Sequence, residues 1–342
     1  MSNQFANRAL LVFLALALAF FSVAAPRFAT ALNVQDILAG YSFLGMLALG
    51  QSFPILVRGI DLSIGAIVAV AGMVAFDLSL ILHLPGCAVL LLAVASATLA
   101  GAVNGWMVVV LRLQPFIATL ATLAAYRGLV FAISGRQRVP ELSTTPISDP
   151  WITNLETYFE IPAAAGAGGV ITMPAIPLSF VVLCVLLLVF QMLLRSTRFG
   201  RDVLTVGGNQ EAARLAGIHM GRTIVIAYAI SGLCAGIAAM FLVARLTTAT
   251  EALGNGMELT AIAAAVIGGV SLQGGVGSMW GPVFGAFLLG VVLVGFTLMG
   301  VSQFVQQILT GIVLLGAVGH DKALTLGRLR RQALAGAQES AA

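Results

Sequence analysis

The chain has 342 residues, 60% of them hydrophobic and only 9% charged, with a mean hydropathy of +1.05. Soluble domains carry about 25% charged residues, so lipid must be the solvent for most of this surface; a soluble enzyme, a nucleic-acid binder and a disordered chain are excluded despite a net charge of +4. Every basic residue but one is Arg, and the single lysine, Lys322, follows Asp321, which leaves no Gly-Lys-Ser/Thr to hold nucleotide phosphates.

A membrane helix takes about 20 mostly apolar residues at 1.5 Å each. Segments 9–25, 37–57, 62–82, 87–111 and 115–133 qualify, followed after a polar stretch by 177–194, 223–244, 258–270, 282–299 and 304–318. The spacing predicts an all-α polytopic membrane protein with about ten transmembrane helices in one domain over 1–342. Five helices fall in 9–133 and five in 177–318; 134–176 forms an outer loop, 195–222 a basic inner loop and 319–342 a basic tail. The first span reads as a retained helix rather than a secretory signal, because only Arg8 precedes it and cleavage after Ala25 would leave Pro26 at the new terminus. Cys87, Cys184 and Cys234 lie in apolar runs without ligand spacing, and His83, His219 and His320 match no catalytic pattern. They predict no metal, no cofactor and no covalent chemistry.

The arginines predict the orientation. With an inner N-terminus and ten crossings, the inner side holds Arg8, Arg58, Arg112, Arg195, Arg198, Arg201, Arg214, Arg222, Lys322, Arg328, Arg330 and Arg331. The outer side holds only Arg27, Arg136, Arg138 and Arg245, together with the acids Glu141, Asp149, Glu156 and Glu160. Basic residues gather on the cytoplasmic side of membrane proteins, so both termini are expected in the cytoplasm.

Gly59-Ile60-Asp61-Leu62-Ser63 recurs as Gly256-Met257-Glu258-Leu259-Thr260. The copies open the third and eighth spans, and an offset of five helices makes the two five-helix halves inverted, a recurrent transporter architecture. Two roles stand open for Asp61, Ser63, Glu258 and Thr260: capping the helices they open, or lining the path of a polar solute. Arg127 joins them as a path candidate, since a charge within a span is paired or functional. It lies six residues before the outer end of its span, and Asp77 five before the outer end of its own, so their depths agree to about 2 Å. An Arg127–Asp77 ion pair is therefore expected. Gly101/Gly105, Gly232/Gly236 and Gly281/Gly285 have the GxxxG spacing of close helix packing.

Within the inner loop, Asn209 is placed to cap a short helix, Glu211 sits in its first turn and Gly217 ends it. Ala212, Ala213 and Ala216 leave room for a partner to sit closely, although a solvated connector would carry the same composition.

This loop, with Gly59-Ile60-Asp61-Leu62-Ser63-Ile64-Gly65, Gln114-Pro115-Phe116-Ile117-Ala118-Thr119-Leu120, Tyr126-Arg127-Gly128 and Ala265-Val266-Ile267-Gly268-Gly269, resembles the permease subunits of bacterial ribose-type sugar ABC importers. Those subunits belong to a wider family that includes branched-chain amino-acid permeases. The resemblance spans roughly residues 44–318. It implies an inner-membrane permease that carries a monosaccharide inward beside a second permease subunit, either a copy or a paralogue. A separate ATPase subunit would dock on Gly208, Asn209, Glu211, Ala212, Ala213, Arg214 and Gly217, and a periplasmic sugar-binding protein would deliver the solute. Residues 163–169, a small-residue tract in the outer loop, have no counterpart in the resemblance. A branched-chain amino-acid permease and an ion-coupled secondary transporter are the alternatives.

Overall fold

The computed structural model describes residues 2–134, 154–159, 175–312, 315–316 and 319. Its elements are α1 (Ser2–Ala24), α2 (Ala31–Leu56), α3 (Ile64–Leu80), α4 (Gly86–Val110), α5 (Pro115–Ser134), the short pair β1 (Tyr158–Phe159) and β2 (Ile176–Pro177), α6 (Leu178–Ser196), α7 (Arg198–Gly208), α8 (Gln210–Leu215), α9 (Met220–Leu246), α10 (Met257–Ile267) and α11 (Trp280–Leu298). Residues 303–312 are helical as well. Among the described residues six helices are long and apolar enough to cross a membrane: α2, α4, α5, α6, α9 and α11. Of the other expected spans, 9–25 coincides with the apolar part of α1 (Leu10–Ala24), 62–82 and 258–270 with the shorter helices α3 and α10, and 304–318 begins in the helical residues 303–312. The outer-loop features at Arg136, Arg138, Pro150-Trp151 and 163–169, and the basic tail, lie outside the described residues.

Helix α9 forms the axis of the core and runs antiparallel to α2 and α4. Gly101 meets Tyr228 and Gly232, Gly105 meets Val225 and Tyr228, and Gly236 rests on Val94 and Ala97. Without side chains at these positions the two backbones approach closely enough for extended dispersion contact, which drives helix association where the surrounding solvent is itself apolar. Gly281 and Gly285 do the same for α11 against Gly268 and Ala264 of the α10 end. The GxxxG spacings therefore serve packing, as expected. Cys234 is buried against Gly50, whereas Cys87 at the start of α4 is exposed although it opens an apolar run.

Three pairs of contacts are related by exchange of helices. Helix α2 packs on α11 as α9 packs on α4; α3 packs on α4 as α10 packs on α11; and α9 packs on α3 as α2 packs on α10. Helix α1 closes one flank by placing Phe21 over Gly295 of α11.

Helix α2 stops at a proline-bearing last turn. The amide of Gly59 donates to the Pro54 carbonyl at 2.8 Å and that of Arg58 to the Ile55 carbonyl at 3.0 Å, while Arg58 itself takes φ 67°. Glycine usually fills this left-handed position; an L-residue there costs about 1–2 kcal/mol. The 195–222 connection contains a second helix that its sequence does not reveal. Helix α7 fills its first half, capped by the Thr197 hydroxyl, which accepts from the Gly200 amide at 3.1 Å, and held to α2 by Phe199 stacked on Phe53.

Adding one methyl at Gly232 drives it into the Ala97 carbonyl, whereas Gly128 has open space around it. Overpacking of this kind costs about 1–3 kcal/mol. Gly232→Ala is therefore expected to lower the melting temperature of the detergent-solubilised protein by several degrees, with Gly128→Ala leaving it unchanged or slightly raised.

Candidate functional site

The break between α2 and α3 exposes backbone and a carboxylate deep within an apolar bundle, and each polar group there finds a partner. Asp61 is fully buried. Its Oδ1 accepts from the Ser63 amide at 3.0 Å, the Ser63 hydroxyl at 2.7 Å and the Asn104 amide at 3.3 Å, and its Oδ2 accepts from the Ser231 hydroxyl at 2.9 Å. With its side-chain amide turned to suit, Gln51 donates to the Asp61 carbonyl at 3.1 Å and accepts from its amide at 3.0 Å. The Ile60 carbonyl accepts from Thr119 at 3.0 Å and from Tyr228 at 3.4 Å. Helices α2, α3, α4, α5 and α9 thus converge on five residues of chain. Asp61 accepts from the amide of Ser63, the N-cap of α3, whose own side chain makes no capping bond; Asn104, Ser231 and Gln51, passed over in the sequence, complete the site.

The second copy of the motif is arranged differently. Glu258 is half-buried, its Oε1 accepting from the Gly256 amide at 3.2 Å. Its Oε2 is sealed from solvent without a hydrogen-bond partner and lies over Gly65, where any side chain would collide with it and with the Gly254 carbonyl. The second copy therefore rests on Gly65, two residues beyond the end of the first. Thr260 donates to the Gly256 carbonyl at 3.1 Å.

Arg127 reaches this same loop. Its Nη1 donates to the carbonyls of Glu251 at 2.6 Å and Leu253 at 2.7 Å, and Glu258 supplies the favourable opposite charge nearby. The expected ion pair with Asp77 is not formed; among the described residues the ion pairs are Arg214–Glu211 at 2.7 Å and Arg245–Asp36 at 3.3 Å. Matching residue counts placed Arg127 and Asp77 at one depth, but depth does not fix the direction in which a side chain leaves its helix, and the loop carbonyls are within reach.

Beside Thr260 a cleft of about 520 Å³ opens between the start of α10, the end of α11 and the helical residues 303–312. Gln303, Gln306, Gln307 and Thr310 line it at the i, i+3, i+4, i+7 spacing of one helix face. Across from them stand Asn255 and Thr297. The opposite face of residues 303–312 carries the exposed Phe304, Val305, Ile308 and Ile312, suited to lipid. Of the proposed path residues Thr260 borders this cleft, whereas Asp61 and Ser63 are sealed within the bundle.

At the opposite end of α9, Asn209 caps α8, its Oδ1 accepting from the Glu211 and Ala212 amides at 3.0 Å each. Gly217 ends the turn at φ 71°. The capping expectation is met. Ala213, however, is buried against the body of the protein, so it anchors α8 rather than presenting it; Ala212, Glu211 and Arg214 face outward, joined by Leu215 at 78% exposure.

Residues 33–318 match the family described as branched-chain amino acid transport system / permease component. The chain is 37% identical over 301 residues to the L-arabinose transport system permease protein AraH of Escherichia coli K12, covering 87% of this chain and 84% of that one. It is 36% identical to the ribose import permease protein RbsC of Bacillus subtilis 168, covering 88% of each. With the D-allose transport system permease protein AlsC of Escherichia coli K12 it shares 34% identity over 91% of this chain and 90% of that one. No solved structure matches the chain.

Because Arg127 holds the 247–256 loop without Asp77, Arg127→Ala is expected to speed amide exchange in that loop, Asp77→Ala to leave it unchanged, and the double variant to match Arg127→Ala. Asp61→Ala removes the acceptor shared by four buried donors, and each donor left without a partner costs about 1–3 kcal/mol; its melting temperature is expected to fall further than that of any of these variants.

Proposed function

Since the chain belongs to the branched-chain amino acid transport system permease family and, within it, is a ribose-type sugar permease, we propose that it is the multi-pass inner-membrane subunit through which an ABC importer moves a monosaccharide inward. The cleft beside Thr260 carries this reading. Its polar lining of Gln303, Gln306, Gln307, Asn255, Thr297 and Thr310 is made of amides and hydroxyls, which donate to and accept from sugar hydroxyls alike. A zwitterionic amino acid would call for charged partners at both ends, and the neighbouring Asp36 and Arg245 are already paired with each other. The named relatives serve L-arabinose, ribose and D-allose, all neutral polyhydroxylated solutes.

The rest of the proposal follows from this assignment. The halves at 9–133 and 177–318 are inverted copies, a reading supported by the motif offset and by the exchange-related helix pairs, α2 on α11 with α9 on α4 and the others. Both termini lie in the cytoplasm, which places α7 and α8 on the cytoplasmic side and the 247–256 loop near the outer surface. A separate ATPase docks on the outward face of α8 through Gly208, Asn209, Glu211, Ala212, Arg214 and Leu215, with Ala213 and Gly217 shaping the helix from behind. A second permease subunit flanks the cleft, and a periplasmic sugar-binding protein delivers solute at the outer surface. Asp61, Ser63, Arg127 and Glu258 hold the walls of the path that Thr260 borders.

Two measurements test this. The C-terminally tagged chain is expected to bring down a P-loop ATPase from native membranes in mild detergent, and the Glu211→Ala/Arg214→Ala variant to lose it; a chain that purifies alone in several detergents rejects the ABC reading. In vesicles holding the complex and its binding protein, with radiolabelled D-ribose, L-arabinose and D-allose as probes, Gln303→Leu/Gln307→Leu is expected to lower uptake of the transported sugar about thirtyfold, two hydrogen bonds being worth about 1 kcal/mol each. Unchanged uptake removes the cleft from the path.

A further inference from the structure

Arg58 is exposed and within reach of water, yet its guanidinium is spent on backbone. Nε donates to the Gly207 carbonyl at 2.6 Å and the Gln273 carbonyl at 3.0 Å, and Nη2 donates to the Gly208 carbonyl at 2.8 Å. Gly207 and Gly208 are the last residues of α7, whose terminal carbonyls have no partner within the helix and attract a cation. The next residue, Asn209, caps α8. Gln273 belongs to the glycine-rich turn after α10, where Gly274 and Gly275 take φ 76° and 72° and pack on Leu56, Gly207 and Gly208. The Gly275 amide donates to the Leu56 carbonyl at 2.9 Å. Arg58 therefore joins the end of α2, the end of α7 and the turn after α10 at a single point. Three residues along the chain stands Asp61, tied to α4 and α9.

Its backbone is in the left-handed conformation that favours glycine. A strained residue persists only where its surroundings over-determine it, and such residues gather at switch regions. Glycine at this position would relieve the strain and forfeit the three carbonyl contacts.

We propose that Arg58 is a positioning residue for transport: it transmits displacement of the α7–α8 segment to the α2–α3 junction and to α10, and thereby to the cleft beside Thr260. The linkage rests on the reading of α8 as an ATPase docking helix. Two bodies joined by one guanidinium through three carbonyls move together; a movement at α8 reaches α10 through Gln273 and α3 through Arg58's own chain. Coupling of this kind is reciprocal, so solute at the cleft alters nucleotide affinity through the same residue.

The test uses the complex purified with its ATPase, bearing Leu259→Cys at the cleft and with Cys87, Cys184 and Cys234 replaced by Ser or Ala. The rate of maleimide labelling at position 259 is measured with and without a non-hydrolysable ATP analogue. With Arg58 present the nucleotide is expected to change the rate. Arg58→Ala is expected to reduce that change about tenfold, within the usual range of coupling between sites, while the ATPase remains bound and hydrolyses ATP. Arg58→Lys, which retains a donor on a flexible stem, restores part of it. An undiminished nucleotide response in Arg58→Ala overturns the proposal. If Arg58→Ala sheds the ATPase or fails to fold, Arg58→Lys decides: a reduced response with the ATPase bound supports the linkage, and a full response or loss of the ATPase overturns it. No nucleotide response with Arg58 in place, by contrast, rejects the docking reading itself.

Discussion

A carboxylate cannot sit in the middle of an apolar bundle without donors around it, and the arrangement of this protein follows from meeting that demand at Asp61. An isolated buried charge costs far more than any single packing contact returns. Four donors on three helices answer it, and because Ser63, Asn104 and Ser231 must each reach the same carboxylate, the relative rotation of α3, α4 and α9 is fixed by hydrogen-bond geometry. Dispersion between small residues brings α4 and α9 together at Gly101 and Gly232, where no side chain fits. The polar hub adds directional contacts that hold the same register.

The two copies of the Gly-x-acid-Leu-hydroxyl motif share a sequence and differ in fate. The first is enclosed by five helices and every oxygen of its acid is satisfied. The second lies at an open cleft, with one oxygen of Glu258 unsatisfied and its loop held from outside by Arg127. A transporter needs one part that keeps its geometry and another that changes it. On the proposed reading the enclosed copy is the fixed half and the copy beside Thr260 the yielding one. The contact of Gly65 with Glu258 lets the second move only against the first.

The six long apolar helices were legible because lipid imposes length and apolarity on each of them, and the GxxxG pairs because close approach demands small residues. The cap at Asn209 followed from the same local chemistry. What escaped notice did so for physical reasons. Arg58 and Arg127 bind carbonyls, which every residue possesses, so their partners leave no mark in the sequence; the search for an acidic partner led to Asp77 instead. Helix α7 sits in a polar stretch and is held by Phe199 against Phe53 across the fold, a contact no local pattern reveals. The face of Gln303, Gln306, Gln307 and Thr310 was readable by its helical period, but Phe304, Val305, Ile308 and Ile312 dominate the average hydropathy of the segment and mask it.

The preference for arginine gains a meaning from these carbonyl contacts. An exposed ion pair weakens as counterions screen it, and it fails when its acid takes up a proton. A guanidinium bound to peptide oxygens is exposed to neither effect, since its partners carry no net charge and do not titrate, and its own proton is held across the biological range. On the proposed orientation the loop gripped by Arg127 thus keeps its attachment in brine or in dilute medium, and in acid or neutral surroundings. A protein with one face toward an environment the cell does not regulate can in this way hold the ends of its helices indifferent to what flows past them.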